Sequence, residues 1–221
     1  MRRALLDFAQ ATNYIPAIMK LDICGGTRGR PREFDVDQAL AAALRVFWSK
    51  GYEGASLAEL TEAMGITKPS LYAAFGNKEQ LFRKALDLYE NEKMAFTRAA
   101  LEAPTVKGVA ERFMRGAIEV QCSDCEPRGC LGVISSVACG AEAETIRGEV
   151  IERRRSSRQA IIDRFERGKA EGDLPSDTSA EALTDYMLAV MQGMAVQAGS
   201  GMNACDLQRV MDVTLGNWPG R

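Results

Sequence analysis

The sequence contains no histidine, and this absence excludes the chemistry that depends on an imidazole. Ser-His-Asp and Cys-His catalysis, a histidine general base and a histidine metal ligand all need that side chain. The chain also lacks a run of about 18 apolar residues, the length that a membrane-spanning helix needs. Strand-type runs of β-branched residues are scarce, which favours an all-helical fold. These absences point away from most enzyme classes and from a membrane protein.

The net charge is also close to zero, because the 28 basic side chains nearly balance the 30 acidic ones. The total charge of −2 therefore says nothing about nucleic-acid binding. Its distribution is more informative: residues 28–84 are mildly basic, whereas residues 85–221 are acidic. The stretch TRGRPREF places three arginines next to glycine and proline, and such a basic arm before a folded unit suits phosphate or minor-groove contacts. A solvated tail fits the same tract equally well. The arginines concerned are Arg28, Arg30 and Arg32.

The first 27 residues have a composition of their own. They begin with two arginines and a short apolar patch, as a secretion signal does, but Asp7, Gln10 and Asn13 interrupt that patch. No small-residue cleavage pattern follows. We therefore interpret residues 1–27 as a flexible extension of a cytoplasmic protein, with Met19 as an alternative start.

Four helices with clear start and stop signals are predicted between residues 35 and 95. N-cap residues open them and glycines close the first three. The first, second and fourth have a glutamine or glutamate three residues after the cap, which is the spacing of a capping box. The second and third are joined by the three-residue turn GIT, which is the arrangement of a helix-turn-helix motif. The predicted starts are Asp35, Ser56, Thr67 and Asn77, and the first three helices are predicted to end at Gly51, Gly65 and Gly76.

The third helix is predicted to be short and to have two unlike faces. Leu71, Ala74 and Phe75 share the face that packs inward, while the outer face displays a lysine and a tyrosine. Hydroxyl and ammonium groups on a short exposed helix can bond phosphates and base edges in a major groove. A solvated surface is the plainer alternative, but caps, turn and polar face together favour DNA binding. The outer face comprises Lys68, Pro69, Tyr72 and Ala73, with Ser70 at its edge.

The same residues carry a resemblance. The stretch from Gly29 to about Leu86, with KGY, AMGITKPSLY and FGNKEQLF, resembles the DNA-binding domain of the TetR/AcrR family of bacterial transcriptional regulators. Ala74 departs from the histidine that many members carry there, which affects packing or one polar contact. The resemblance implies that the third helix faces DNA and that Lys78, in the first turn of the fourth, binds a phosphate. The predicted DNA-binding residues are Arg28, Arg30, Arg32, Ser56, Thr67, Lys68, Ser70, Tyr72 and Lys78.

The remainder of the chain is predicted to be helical too, with glycine- and proline-containing breaks. The fold prediction is all-α: a three-helix helix-turn-helix domain over residues 28–84, then a helical bundle for ligand binding and dimerisation over residues 85–221. The basic run at residues 153–155 is interleaved with acidic residues, which favours an exposed helix with ion pairs. The predicted later helices lie near 85–101, 105–122, 130–139, 142–171, 178–199 and 204–217.

The last two predicted helices carry an apolar stripe rich in methionine. Helix-turn-helix proteins normally read two half-sites as two-fold dimers, which requires a self-complementary surface. The resemblance implies that these helices form a four-helix dimer interface, although an isolated domain could use the stripe as core. The predicted interface residues are Leu183, Met187, Val190, Met191, Met194 and Met211.

Three of the six cysteines stand in a C-x2-C-x4-C pattern, Cys122, Cys125 and Cys130, and three readings remain open. They are ordinary small apolar residues, or Cys130 is a reactive sensor thiol at a helix start near Arg128, or they form a thiolate zinc site. The zinc reading lacks a second C-x2-C and any histidine. The sequence RGCL also resembles a motif of a TetR subgroup, some of whose members respond to electrophiles or oxidants through that thiol.

An effector pocket is expected between helices of the second domain, lined for a small and largely apolar ligand. Its candidate residues are equally well explained as core. They are Phe96, Phe113, Ile118, Leu131, Ile134 and Met187, with Cys122, Cys125 and Cys130 as sensor candidates.

The predicted function is a dimeric transcriptional regulator, a repressor released from a palindromic operator by a small-molecule effector or by thiol modification. Double-stranded DNA, a second copy and an effector are its expected partners, and no cofactor, metal or membrane is expected. Two alternatives remain: a thiol- or zinc-based sensor or enzyme centred on residues 122–130, and a helical adaptor that binds proteins.

Overall fold

The computed structural model describes residues 34–137 and 143–220, and the part from Phe34 onward forms one compact unit. Arg28, Arg30, Arg32, Cys24 and Cys139, together with the predicted extension, lie outside the described residues. The described residues form helices and no strand. The α-helices are α1 (Val36–Gly54), α2 (Leu57–Met64), α3 (Lys68–Phe75), α4 (Lys78–Leu88), α5 (Phe96–Leu101), α6 (Val106–Gln121), α7 (Leu131–Val137), α8 (Glu144–Ala170), α9 (Ala180–Gly199) and α10 (Ala204–Gly216), with a π-helical turn (Tyr89–Lys93) between α4 and α5.

The predicted N-caps of the first four helices are confirmed, although at α1 the Asp35 carboxylate accepts from the N–H groups of Asp37 and Gln38 without the predicted reciprocal bond from the Gln38 side chain. Ser56 and Glu59 form a complete capping box at α2, and Asn77 and Gln80 form another at α4. Such boxes satisfy two backbone N–H groups that would otherwise lack partners. The turn between α2 and α3 passes through Gly65, whose φ of 64° lies in the left-handed region.

Helix α1 is interrupted where the sequence predicts its end. Gly51 has φ 71° and ψ 177°, a conformation that is almost restricted to glycine. A Cβ at this position would lie 3.0 Å from Cγ2 of Ile134, so α7 approaches the backbone of α1 closely here. The break therefore serves a second purpose, because it makes room for a helix from the later part of the chain.

Two hydrophobic cores organise the protein. The head core is built on α1–α4, with Phe47, Trp48, Leu60, Leu71 and Phe82 all fully buried. Beyond the end of α4 it also includes four buried side chains, so α7 and the beginning of α8 pack on the helix-turn-helix unit. These four are Tyr89, Leu131, Ile146 and Val150.

The bundle core is formed by α5, α6, the second half of α8, α9 and α10, around residues such as Met114 and Phe165. Helix α8 connects the two cores: its beginning packs in the head core, its end packs in the bundle core, and residues 151–160 between them are exposed or half-buried. The expectation of ion pairs in the basic run is confirmed for Arg153 and Arg155. No helix of the described residues is long and apolar enough to cross a membrane.

The helix predicted over residues 85–101 needs correction, because it is divided. Met94 N–H donates to the carbonyl of Tyr89, five residues back, and this π-helical turn ends the run before α5 begins. The side chains of Tyr89 and Lys93 bond to the segment between α6 and α7, while Glu90 accepts from Arg153 on α8. A periodic apolar pattern cannot reveal one extra residue in a turn.

The predicted dimer stripe also needs correction. Leu183, Met187, Met194 and Met211 are buried in the bundle core of a single chain, with exposures of 8%, 0%, 1% and 1%. Val190 and Met191 are half-buried against the same core. The four buried side chains fill the protomer and present no surface to a second copy, whereas the prediction for the half-buried Val190 and Met191 stays a prediction. Helical periodicity identifies the apolar face of a helix, but it cannot tell whether that face packs in its own chain or against a second copy.

Candidate nucleic-acid interface and thiol loop

Helix α3 turns its apolar side inward and its polar side to solvent. Leu71 and Phe75 are 0% and 2% exposed, whereas Tyr72 is 44% exposed and Lys68 is exposed as well. Phe34, where the described chain begins, packs beside Phe75 with ring centroids 6.5 Å apart. The two predicted faces of α3 are therefore present, and the outer one is free of contacts from the rest of the described protomer that would bury it.

The hydroxyl groups near α3 hold the N-termini of helices. Thr67 caps α3, and its Oγ1 lies 2.9 Å from the Oγ of Ser70. Ser56 caps α2 and donates to Oε2 of Glu59 at 2.8 Å. Each hydroxyl has one donor and two acceptor positions, so such bonds leave capacity for a further partner. These residues form the frame that presents the outer face of α3.

Glu59 contributes a charge to this frame. Hydrogen bonds from Lys50 and then from the backbone N–H and hydroxyl of Ser56 lower the pKa of Glu59 to about 2. The carboxylate therefore stays ionised through the neutral and mildly acidic range. It holds the end of α1 next to the start of α2.

Lys78 lies at the first position of α4, three residues after α3 ends. Its Nζ lies 4.6 Å from the ring centroid of Tyr52, so the ammonium makes a cation–π contact with that ring. The N-terminus of a helix offers backbone N–H groups and a positive dipole end. Lys78 and the α4 terminus together suit a phosphate.

The thiol loop, residues 122–130 between α6 and α7, packs against the head core through its last two residues. The indole Nε1 of Trp48 donates to the carbonyl of Gly129 at 3.1 Å, in a buried position. The hydroxyl of Tyr89 donates to Sγ of Cys130 at 3.4 Å, and the Trp48 and Tyr89 rings meet edge to face at 4.8 Å. Burial raises the pKa of Tyr89 well above its usual value, so the phenol remains a donor.

The other thiols lie in different surroundings. Cys122 is half-buried, and burial raises the pKa of its thiol while the charge of Arg128 opposes that change. Cys125 and Cys205 are exposed. Within residues 34–137 and 143–220, no group of three or more cysteine or acidic side chains is placed to hold a metal ion. The zinc alternative therefore has no ligand set in this part of the chain.

The structure does not bring the predicted effector residues together. The Phe96 and Phe113 rings lie edge to face at 6.5 Å. Phe113, Ile118 and Met187 belong to the bundle core, and Phe96 packs against it. Leu131 belongs to the head core, and Ile134 contacts the Gly51 region of α1. The candidates thus divide between the two cores and do not line one cavity.

Sequence reasoning missed the side chains that connect the thiol loop with the head core: Trp48, Tyr89 and Glu126. Trp48 and Glu126 make contacts with residues 81 positions away. The one available signal was a carboxylate between Cys125 and Cys130. A lone acidic residue in a polar loop gives no indication of its partner.

Comparison with known proteins places these features in a family. Residues 39–85 match the family described as bacterial regulatory proteins, tetR family. The chain is 33% identical to the HTH-type transcriptional repressor ComR of Escherichia coli over 87% of this chain and 93% of ComR. It is 30% identical to the HTH-type transcriptional repressor BdcR of the same species over 78% of this chain and 83% of BdcR.

Among solved structures, the chain resembles a cysteine mutant of the TetR family transcriptional regulator CifR complexed with 26-bp double-strand operator DNA. The two are 42% identical, with a TM-score of 0.82 over 86% of this chain and 100% of that one. A putative regulator from Rhodococcus sp. RHA1 is 37% identical, with a TM-score of 0.59 over 83% of this chain and 98% of that chain.

We expect Trp48→Phe to destabilise the protein more than Trp218→Phe. Both changes remove the same atoms from a buried indole, but Trp48 donates to Gly129 whereas the Trp218 N–H has no partner among the described residues. A buried carbonyl left without its donor costs about 1–3 kcal/mol, and this is the expected difference. Urea unfolding followed by circular dichroism measures it. Equal losses for the two variants would show that the Trp48 bond contributes nothing.

Proposed function

The chain belongs to the TetR family of bacterial regulatory proteins, and on that premise we propose that it represses transcription from a palindromic operator in the cytoplasm. Membership makes it a DNA-binding transcriptional regulator and not an enzyme. The observation that carries the proposal is the outer face of α3, where Lys68 and Tyr72 are exposed while Leu71 and Phe75 fix the helix in the head core. Two relatives are named transcriptional repressors, which supports repression and not activation.

In this proposal α3 enters the major groove. Lys68 and Tyr72 reach base edges or phosphates, Thr67 and Ser70 approach through their hydroxyls, and Lys78 binds a phosphate at the α4 terminus. Ser56 at the start of α2 is proposed to meet the backbone of the duplex. The predicted arginine arm, Arg28, Arg30 and Arg32, is proposed to add phosphate or minor-groove contacts.

We expect Tyr72→Ala to weaken operator binding by about 5- to 150-fold, since losing one good base or phosphate contact costs about 1–3 kcal/mol. An operator obtained by selection from random DNA, titrated by fluorescence anisotropy at fixed salt, provides the measurement. Lys107→Gln on α6 is the control, because it removes a lysine from the bundle. Unchanged affinity of a folded Tyr72→Ala protein would contradict the proposed role of α3.

The proposed repressor is a homodimer, joined through the outer faces of α9 and α10. Four of the six large apolar side chains exposed in the described residues lie on these two helices. A monomer gains nothing from exposing them, whereas a second copy would cover them. They are Tyr186, Val196, Val210 and Val213, and they take the place of the buried stripe that the sequence suggested.

We expect Val213→Glu to convert the dimer to monomers at micromolar concentration. Val213 is 67% exposed in the protomer, so a carboxylate there leaves the fold intact but would be desolvated in a dimer. Sedimentation velocity compares this variant with the natural chain, and Tyr72→Ala serves as a control that should remain dimeric. A Val213→Glu protein that sediments like the natural chain would place the interface elsewhere.

Release from DNA is proposed to occur when an effector or a thiol modification alters the second part of the chain. Cys130 is the proposed sensor, because its half-buried sulfur accepts the Tyr89 hydrogen bond and packs against the head core. A group added to that sulfur must displace Tyr89 or α7. Either movement disturbs the core that supports the DNA-binding helices.

We expect N-ethylmaleimide, which adds to a thiol, to lower operator affinity of the natural chain by about tenfold or more, within the usual range of coupling between two sites. Cys130→Ser should resist the reagent, whereas Cys125→Ser, which lacks an exposed thiol, should respond like the natural chain. Anisotropy titration before and after treatment measures the effect. A Cys130→Ser protein that is still released would eliminate Cys130 as the sensor.

A further inference from the structure

One carboxylate of the thiol loop connects two parts of the head, and the proposed function does not account for it. The side chain of Glu126 is only 14% exposed. Its Oε2 accepts a hydrogen bond from Nε of Arg45 on α1 at 3.1 Å. Its Oε1 accepts another from Nζ of Lys93 in the π-helical turn at 2.8 Å. Glu126 therefore joins the thiol loop to the first helix of the head and to the segment that follows its last helix.

The charge of Glu126 is retained in this position. Partial burial alone would raise the pKa of Glu126, but the hydrogen bonds from Lys93 and Arg45 outweigh burial, so the pKa lies below its ordinary value. The carboxylate is thus ionised at neutral pH and bound on both oxygens. Two charge-assisted hydrogen bonds fix its position more firmly than an exposed ion pair would.

The thiol loop also contacts α9 and the turn between α9 and α10, in the part of the chain that carries the proposed dimer interface. Arg128 Nη1 donates to the carbonyl of Gly201 at 3.5 Å, in the turn between α9 and α10. The thiol of Cys122 lies 3.9 Å from the carbonyl of Met202 in the same turn. A Cβ on Gly129 would lie 3.2 Å from the carbonyl of Ala195 on α9. The loop therefore lies between the head on one side and α9 with its following turn on the other.

We propose that Glu126 is a positioning residue for operator binding: it fixes the direction in which each head projects from the dimer. It thereby sets which spacing of half-sites the dimer accepts. Two heads bind together only when their separation and orientation match the duplex. One inserted base pair moves a half-site by about 3.4 Å and rotates it by about 34°. A head held by Glu126 resists that change, and a head released from it follows the displaced half-site.

The test uses the full chain and the selected operator, together with operators that have one base pair inserted or removed between the half-sites. We expect the natural chain to lose about tenfold or more in affinity on either altered operator. Glu126→Gln should lose only about threefold, because the amide keeps the shape of the side chain but not the charge. Affinity for a single half-site should stay within about twofold, since no DNA-facing residue changes.

Two further variants make the outcome specific. Arg45→Gln removes the same ion pair from the head side and should also relax the spacing requirement; Arg45 is 56% exposed, so its loss does not threaten the fold. Glu119→Gln changes an exposed carboxylate on α6 and should behave like the natural chain. If Glu126→Gln fails to fold by circular dichroism, Arg45→Gln decides the question.

The inference rests on the proposed dimer at a palindromic operator, and the two can fail separately. A natural chain that sediments as a monomer, or that binds without two half-sites, overturns the proposed function and this inference with it. A dimer with a strict spacing requirement that Glu126→Gln and Arg45→Gln both retain overturns the inference alone. If Glu126→Gln binds all three operators more weakly by the same factor, the inference is overturned as well, because Glu126 would then support folding and not the direction in which the head projects.

Discussion

The hydrogen bond from the Trp48 indole to the Gly129 carbonyl joins the thiol loop to α1, and the packing of later segments into the head core is organised around it. It is buried, and it holds the last residues of the thiol loop against α1, so that Cys130 comes under the Tyr89 hydroxyl and α7 begins inside the head core. Because a buried polar pair costs about 1–3 kcal/mol to break, separating the end of the loop from α1 is unfavourable. The helix-turn-helix unit is therefore not an independent module on a linker, since it shares its core with segments more than forty residues further along the chain.

Much of the first third could be predicted because its signals are local. In each of the capping boxes Ser56–Glu59 and Asn77–Gln80 the two residues are three positions apart. A short polar residue followed at that spacing by a glutamate or glutamine is a specific signal for the start of a helix. The two faces of α3 follow from helical periodicity, and the burial of Leu71 with the exposure of Tyr72 agrees with it. The helices after residue 104 could be bounded for the same reason, by glycine, proline and N-cap residues, whereas the run predicted over residues 85–101 is divided.

The remaining features depend on contacts between distant residues, which no local pattern contains. Glu126 and Arg45 are 81 positions apart, and nothing in the loop sequence selects an arginine on α1 as a partner. Periodicity also cannot say what an apolar face packs against. Met187 and Met194 lie in the chain's own core, while Val213, outside the predicted stripe, is exposed. The effector candidates were divided for the same reason: Leu131 and Phe113 look alike in sequence but belong to different cores.

The way in which Ile146 and Val150 of α8 complete the head core bears on how regulators of this kind can be recombined. A chimera joined after α4 would carry a head without Leu131, Ile146 and Val150, and would leave the Trp48 indole without its acceptor. The functional junction instead falls in the exposed middle of α8, residues 151–160, where no side chain is buried in either core. A transplantable head from this protein is thus discontinuous in sequence, and includes the last residues of the thiol loop, Gly129 and Cys130.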